Sequence, residues 1–180
     1  MRRLVLTAVI AAVLVAAGSS AHAQTPLPKP APELQKLDYF VGKWNVTGDM
    51  KPGPMGPGGK MTMSEEDSWM EGKFFLVAHS KFSGAGMGGG SGISFMGYDS
   101  EKKMYTYNEF NSMGAAEQST GTLDGDTWTW ASSEKMGDKV MKGRFTMKIL
   151  TPTSYSFKFE VSPDGGSWTT VMDGTATKAS

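Results

Sequence analysis

The stretch Phe40-Val41-Gly42-Lys43-Trp44 decides the fold. Ahead of it, Glu33 to Tyr39 reads as a short helix, and apolar residues alternate behind it. Glycine lets the chain turn sharply from helix into strand. Trp44, just inside the first strand, is large and flat enough to plug the closed end of a barrel, where side chains must fill a taper.

The remaining sequence reads as strands separated by turn signals. Tyr155, Phe157, Phe159 and Val161 alternate with Ser154, Ser156, Lys158 and Glu160. Met141, Phe145, Met147 and Ile149 alternate with Val140, Lys142, Arg144, Thr146 and Lys148. This period of two sends one set inward and the other to water. Trp128 shares a face with Trp130, and Trp168 and Thr170 share one with Met172 and Ala176. Asp124-Gly125-Asp126, Met136-Gly137-Asp138 and Pro163-Asp164-Gly165-Gly166 carry hairpin chemistry. Hairpins without a long second helix argue against a βαβ fold. The expected class is all-β, an antiparallel barrel of about ten strands with a short N-terminal helix.

The N-terminus has the form of a secretory signal. Arg2 and Arg3 precede an apolar run from Leu4 to Ala17, and Ala21-His22-Ala23 is a small-x-small cleavage site. The run is too short to span a membrane. No cysteine follows the site to take a lipid. Residues 1–23 are read as signal peptide, 24–32 (QTPLPKPAP) as a proline-rich linker and 33–180 as the barrel domain. The implied location is periplasmic or secreted, with no stable membrane insertion once the signal is removed.

Loss of 23 residues from 180 leaves 157, enough for one core. The 18 basic residues fall to 16 against 18 acidic ones, a formal charge of −2. That balance offers no footprint for nucleic acid. With no cysteine and His79 as the mature chain's sole histidine, most familiar active sites and metal-ligand sets are excluded.

Two Gly/Pro-rich stretches, Lys51 to Lys60 and Ser83 to Gly92, read as long loops. In a meander of hairpins they fall at the same end, over an open mouth. Three further segments are Met70-Glu71-Gly72-Lys73-Phe74, Gly97-Tyr98-Asp99-Ser100-Glu101-Lys102-Lys103, and Asn111-Ser112-Met113-Gly114 ahead of Gly121-Thr122-Leu123-Asp124-Gly125-Asp126. With the Phe40–Trp44 segment, which resembles the calycin superfamily of lipocalin-like barrels, they resemble the bacterial exported domain-of-unknown-function family 1579. The likeness runs from about Leu34 to Lys178 and implies a calycin-like barrel but no activity. In calycin barrels a cation of the last strand commonly covers the tryptophan at the base. That assigns Gly42, Trp44 and Lys178 to the barrel base, with Arg144, of outward parity, as second candidate.

Each remaining motif has a plainer reading. Gly84-Ala85-Gly86-Met87-Gly88-Gly89 matches G-x-G-x-x-G, but a strand rather than a helix follows, which favours a hairpin loop over a nucleotide site. Asn45-Val46-Thr47 matches a glycosylation sequon inside a strand, a chance match. His79 has outward parity against Phe74, Leu76, Ala78 and Phe82; only a bulge would bring it inside to ligate haem or act as a base. Met61 and Met63 offer two thioethers for Cu(I), although methionine as adaptable filler is the simpler account. Glu65 and Asp67 share parity with Met61, Met63 and Trp69, and Glu109 with Tyr105 and Tyr107; Glu117 also falls within a strand. A carboxylate inside a barrel is costly, so a parity error or a water-filled end is favoured.

No nucleophile elbow, zinc spacing or phosphate loop occurs. The function expected is binding of a small apolar or amphipathic molecule by a monomer, without catalytic residues, cofactor or metal. Trp69, Tyr105, Tyr107 and Phe157 are expected to line the cavity, with Glu109 as polar contact. The alternatives are a structural barrel with a filled core, and a haem, Cu(I) or enzymatic site using His79. An open interior separates the first alternative from binding.

Overall fold

The computed structural model describes residues 28–53, 56–84, 88–136 and 138–179. The signal read at 1–23 and the first part of the linker lie outside the described residues. Pro32–Tyr39 forms a 3₁₀ helix that begins on a proline, whose missing N–H is not needed there. Leu34 and Leu37 are spaced by one turn of three residues, so both bury on one face. Gly42 follows at φ 121°, a backbone angle that strains any residue with a Cβ.

Ten strands complete the chain: β1 Gly42–Met50, β2 Gly59–Trp69, β3 Leu76–Gly84, β4 Gly89–Asp99, β5 Met104–Asn111, β6 Ala116–Asp124, β7 Thr127–Met136, β8 Lys139–Thr151, β9 Ser154–Pro163 and β10 Thr169–Lys178. Each pairs antiparallel with the next, and β1 pairs with β10, so the sheet closes into a barrel. Closure leaves no exposed edge. The helix lies across one end, where Leu34, Leu37, Phe40, Trp44, Leu76, Trp128 and Tyr155 bury together.

Two expectations change. The glycine-rich stretches are shorter as loops than the sequence suggests. β2 begins at Gly59, β3 runs to Gly84 and β4 begins at Gly89, with Thr62 opposite Ser83 and Ser83 opposite Gly89. Ladder pairing satisfies backbone groups that a loop would leave to water. A strand, β4, and not a helix therefore follows the glycine-rich motif.

The second change is in β10. A bulge between Thr170 and Met172 reverses its parity. Trp168 and Thr170 therefore leave the face of Met172 and Ala176. Trp168 lies outside, with the Arg144 guanidinium 4.2 Å from its ring centroid. Arg144 also donates to Glu160 Oε2 from Nε at 3.0 Å and Nη2 at 2.8 Å, while Lys158 approaches Oε1 at 2.9 Å. Arg144 thus belongs to an outer cluster and not to the base.

Candidate functional site

The closed end is built first. Trp44 is buried and donates its indole N–H to the Phe40 carbonyl at 2.6 Å. Its register partner on β10 is Lys178, whose Nζ stands 5.2 Å from the Trp44 ring centroid and 5.8 Å from that of Tyr39. Tyr155 packs against the same indole at 5.1 Å.

Trp69 and Tyr105 belong to this end too, which corrects their expected place on the ligand wall. Both sit where their strands pass beneath the helix. Trp69 donates its N–H to Asp38 Oδ1 at 2.7 Å. Tyr105 donates its hydroxyl to the Glu33 carbonyl at 3.0 Å and meets Trp128 at 4.6 Å. They tie the helix to the barrel.

Beyond this plug the barrel is open inside. A cavity of about 310 Å³ remains, and Tyr107, Glu109 and Phe157 line it. Its walls differ in chemistry. All the carboxyl groups and serines of the lining, Glu65, Ser80, Ser94, Glu109, Glu117 and Ser119, stand on β2 to β6 with Tyr107, among the apolar Met61, Met63, Phe82 and Met96. On β7 to β10 stand Trp130, Phe145, Met147, Phe157, Phe159 and Met172. Phe145 and Phe157 stack at 5.5 Å. Trp130 lies flat against β6 because position 121 is glycine; a Cβ there would come within 2.5 Å of the indole.

Of the two plainer readings of the acidic residues, a parity error or a water-filled end, the inward carboxyls overturn the first. Glu65 and Asp67 point inward from β2 and are hydrogen-bonded to each other. Burial drives the Glu65 carboxyl above its ordinary range. Burial, and then the neighbouring Glu65, push Asp67 up to about 10, with Lys178 opposing. The pair therefore holds a proton at neutral pH. Burial, followed by Glu109 and Glu134, also raises Glu117. The Tyr107 phenol, raised by burial, donates to Glu109 Oε2 at 2.5 Å. Asp67 Oδ1 and Ser119 Oγ are buried without a hydrogen-bond partner. Among the described residues, no lysine, arginine or histidine lines the cavity.

Parity with Met61 and Met63 was a usable signal for Glu65 and Asp67. Ser80, Ser94 and Ser119 carried none, because serine suits either face of a strand. Met61, Met63, Met96, Met147 and Met172 line the cavity as apolar wall. His79 lies exposed on the outer face of β3, in register with Glu66 and Ile93. It borders a surface groove of about 730 Å³ across β1 to β5, whose floor is the outside of the sheet. Among the described residues, no three His, Cys, Asp or Glu side chains gather as a metal site.

The family model of proteins of unknown function DUF1579 matches residues 29–178, and the chain belongs to that family. No curated protein matches it. Among solved structures it is similar to Rv2717c from M. tuberculosis, at 14% identity and TM-score 0.57, covering 84% of this chain and 100% of that one. It is also similar to the S-type phycobiliprotein lyase CPES from Guillardia theta, at 12% identity and TM-score 0.53, covering 81% of this chain and 92% of the lyase. At these identities the likeness is one of fold.

Proposed function

We propose that this DUF1579 protein is an exported, monomeric binding protein whose barrel holds one small apolar or amphipathic molecule. The observation that carries the reading is the unfilled cavity of about 310 Å³ above the Trp44 plug. A barrel serving only as scaffold gains by filling that space, since each buried methylene contributes about 0.8 kcal/mol. Gly121 and Gly174 let the Trp130 and Phe157 rings lie back against the sheet, which keeps these rings at the wall. Apolar lining with a few convergent polar groups is the usual form of a small-molecule site. Export rests on the signal read at residues 1–23.

The test is native mass spectrometry of protein recovered from the exported fraction, with a panel of small hydrophobic molecules titrated against tryptophan fluorescence. The expected result is a mature chain beginning at Gln24, with an added mass or saturable quenching from Trp130. A chain retaining Leu4 to Ala17 would overturn the export reading. No added mass and no quenching across the panel would overturn the binding reading and leave a structural role.

A further inference from the structure

We propose that the molecule held is a protonated amine on a small apolar skeleton, its ammonium set against Glu65, Glu109 and Glu117 and its skeleton against the aromatic wall. The inference rests on the binding reading of this cavity and names its ligand class.

The first support is the asymmetry of the lining. Three carboxyl groups line the cavity from β2, β5 and β6, with Glu109 acting on both Glu65 and Glu117, and Asp67 lies beside Glu65. Glu109 lies directly opposite Glu117 in the ladder and also opposite Ser94. Among the described residues, no basic side chain lines the cavity to pair with them. Lys178 is held at the closed end over Trp44.

The second support is independent of the charges. Ser119, 8% exposed, lines the cavity with its Oγ unpartnered. It sits opposite Tyr107 on β5. Asp67, 3% exposed, leaves Oδ1 unpartnered. Buried polar atoms without partners are costly and uncommon, so Ser119 Oγ beside the void marks a place for a polar group of a ligand. Ionised carboxylates accept only. The one phenol donor on this wall, Tyr107, is already given to Glu109. Among the described residues the lining offers carboxyl groups and no cation, and an ammonium brings three donors with a positive charge.

Alternative ligand chemistries fit less well. An anion would meet carboxyls with no cation to receive it. A neutral hydrocarbon would fill the volume and leave the acceptors bare. A cation also gains from the ring faces opposite, where Trp130 lies 5.7 Å from Tyr107 and Phe145 stacks on Phe157. The volume takes about ten non-hydrogen atoms, counting each as one water's share of liquid.

Three probes of one skeleton test this by calorimetry on the mature chain at pH 7: phenylbutylamine, phenylbutanol and phenylbutyrate. The amine should bind about tenfold tighter than the alcohol, the gain from charge-assisted hydrogen bonds, and phenylbutyrate weakest. In E65Q/E109Q the amine's advantage should fall below about threefold with the alcohol's affinity retained. These substitutions keep side-chain volume, and a cooperative urea transition will show that the variant folds. If the variant does not fold, the three-probe ranking on the natural chain decides alone. Equal binding of amine and alcohol would overturn the cation assignment and leave the binding reading standing. An amine preference that survives in a folded E65Q/E109Q would overturn the carboxyls as its source. Failure of all three probes would overturn both readings.

Discussion

Consider the protein moved from pH 6 to pH 8 at constant ionic strength. Glu65 and Asp67 are hydrogen-bonded inside the barrel, where burial holds both carboxyls above their ordinary range and Asp67 up to about 10. In the unfolded chain both ionise near pH 4. The native state therefore keeps at least one proton that the unfolded state has lost. A folded-state pKa above the unfolded one gives stability that is full below the unfolded pKa. That stability falls as pH rises towards the folded pKa. One extra native proton sets a slope of about 1.4 kcal/mol per pH unit, so two units cost about 3 kcal/mol. The groups acting on the pair include Glu109 and Lys178, the latter opposing the shift. Tyr155, itself raised by burial, stays neutral throughout this window. Asp49 and Asp99 are held below the usual carboxylate range by hydrogen bonds, with opposite sign, and act only in acid. Urea titrations at half-unit steps should show the midpoint falling steadily. Asp67→Asn keeps the shape and donates to Glu65, so it should cut the slope by more than half and raise stability at pH 8. A flat profile in the natural chain would refute the reasoning, because it would mean that both carboxyls ionise in the folded state.

Trp44→Ala should cost about 3–5 kcal/mol, since it removes a 2% exposed indole and leaves the Phe40 carbonyl without its donor; an unchanged denaturant midpoint would contradict the plug. Gly121→Val should drive the Trp130 ring into the cavity, because even a Cβ would lie 2.5 Å from it. The overpacking should cost about 1–3 kcal/mol and abolish uptake of phenylbutylamine, and calorimetry showing undiminished binding would count against the cavity as the site.

The fold was legible because its signals are local. Phe40–Trp44, the alternation in β8 and β9 and the Gly-Asp turns each state their role within a few residues. What escaped depends on neighbours far along the chain. A bulge between Thr170 and Met172 turned Trp168 outward, and nothing in the sequence around Val171 announces it. Trp69 and Tyr105 have the inward parity expected of wall residues. Parity cannot say how far along the barrel a side chain lies or that a helix covers it there. The carboxyls had the correct parity as well, but the cost of burying them argued for the opposite reading. That argument prices stability alone.

The cost itself carries information. Leucine buried in place of a carboxyl would contribute about 1.5–3 kcal/mol by transfer from water, so the acidic wall is built against stability. Shortage of cations does not explain it, because the mature chain keeps 16 basic residues for 18 acidic ones. Outside the barrel they are paired freely: Arg144 and Lys158 with Glu160, Lys60 with Asp49, Lys102 with Asp99. Inside, Glu65, Glu109 and Glu117 face a void with no basic partner lining it. Glycine at 121 keeps Trp130 clear of the same space. Poor use of stability, withheld cations and reserved volume coincide at one place, as expected where a site is kept for a ligand at stability's expense.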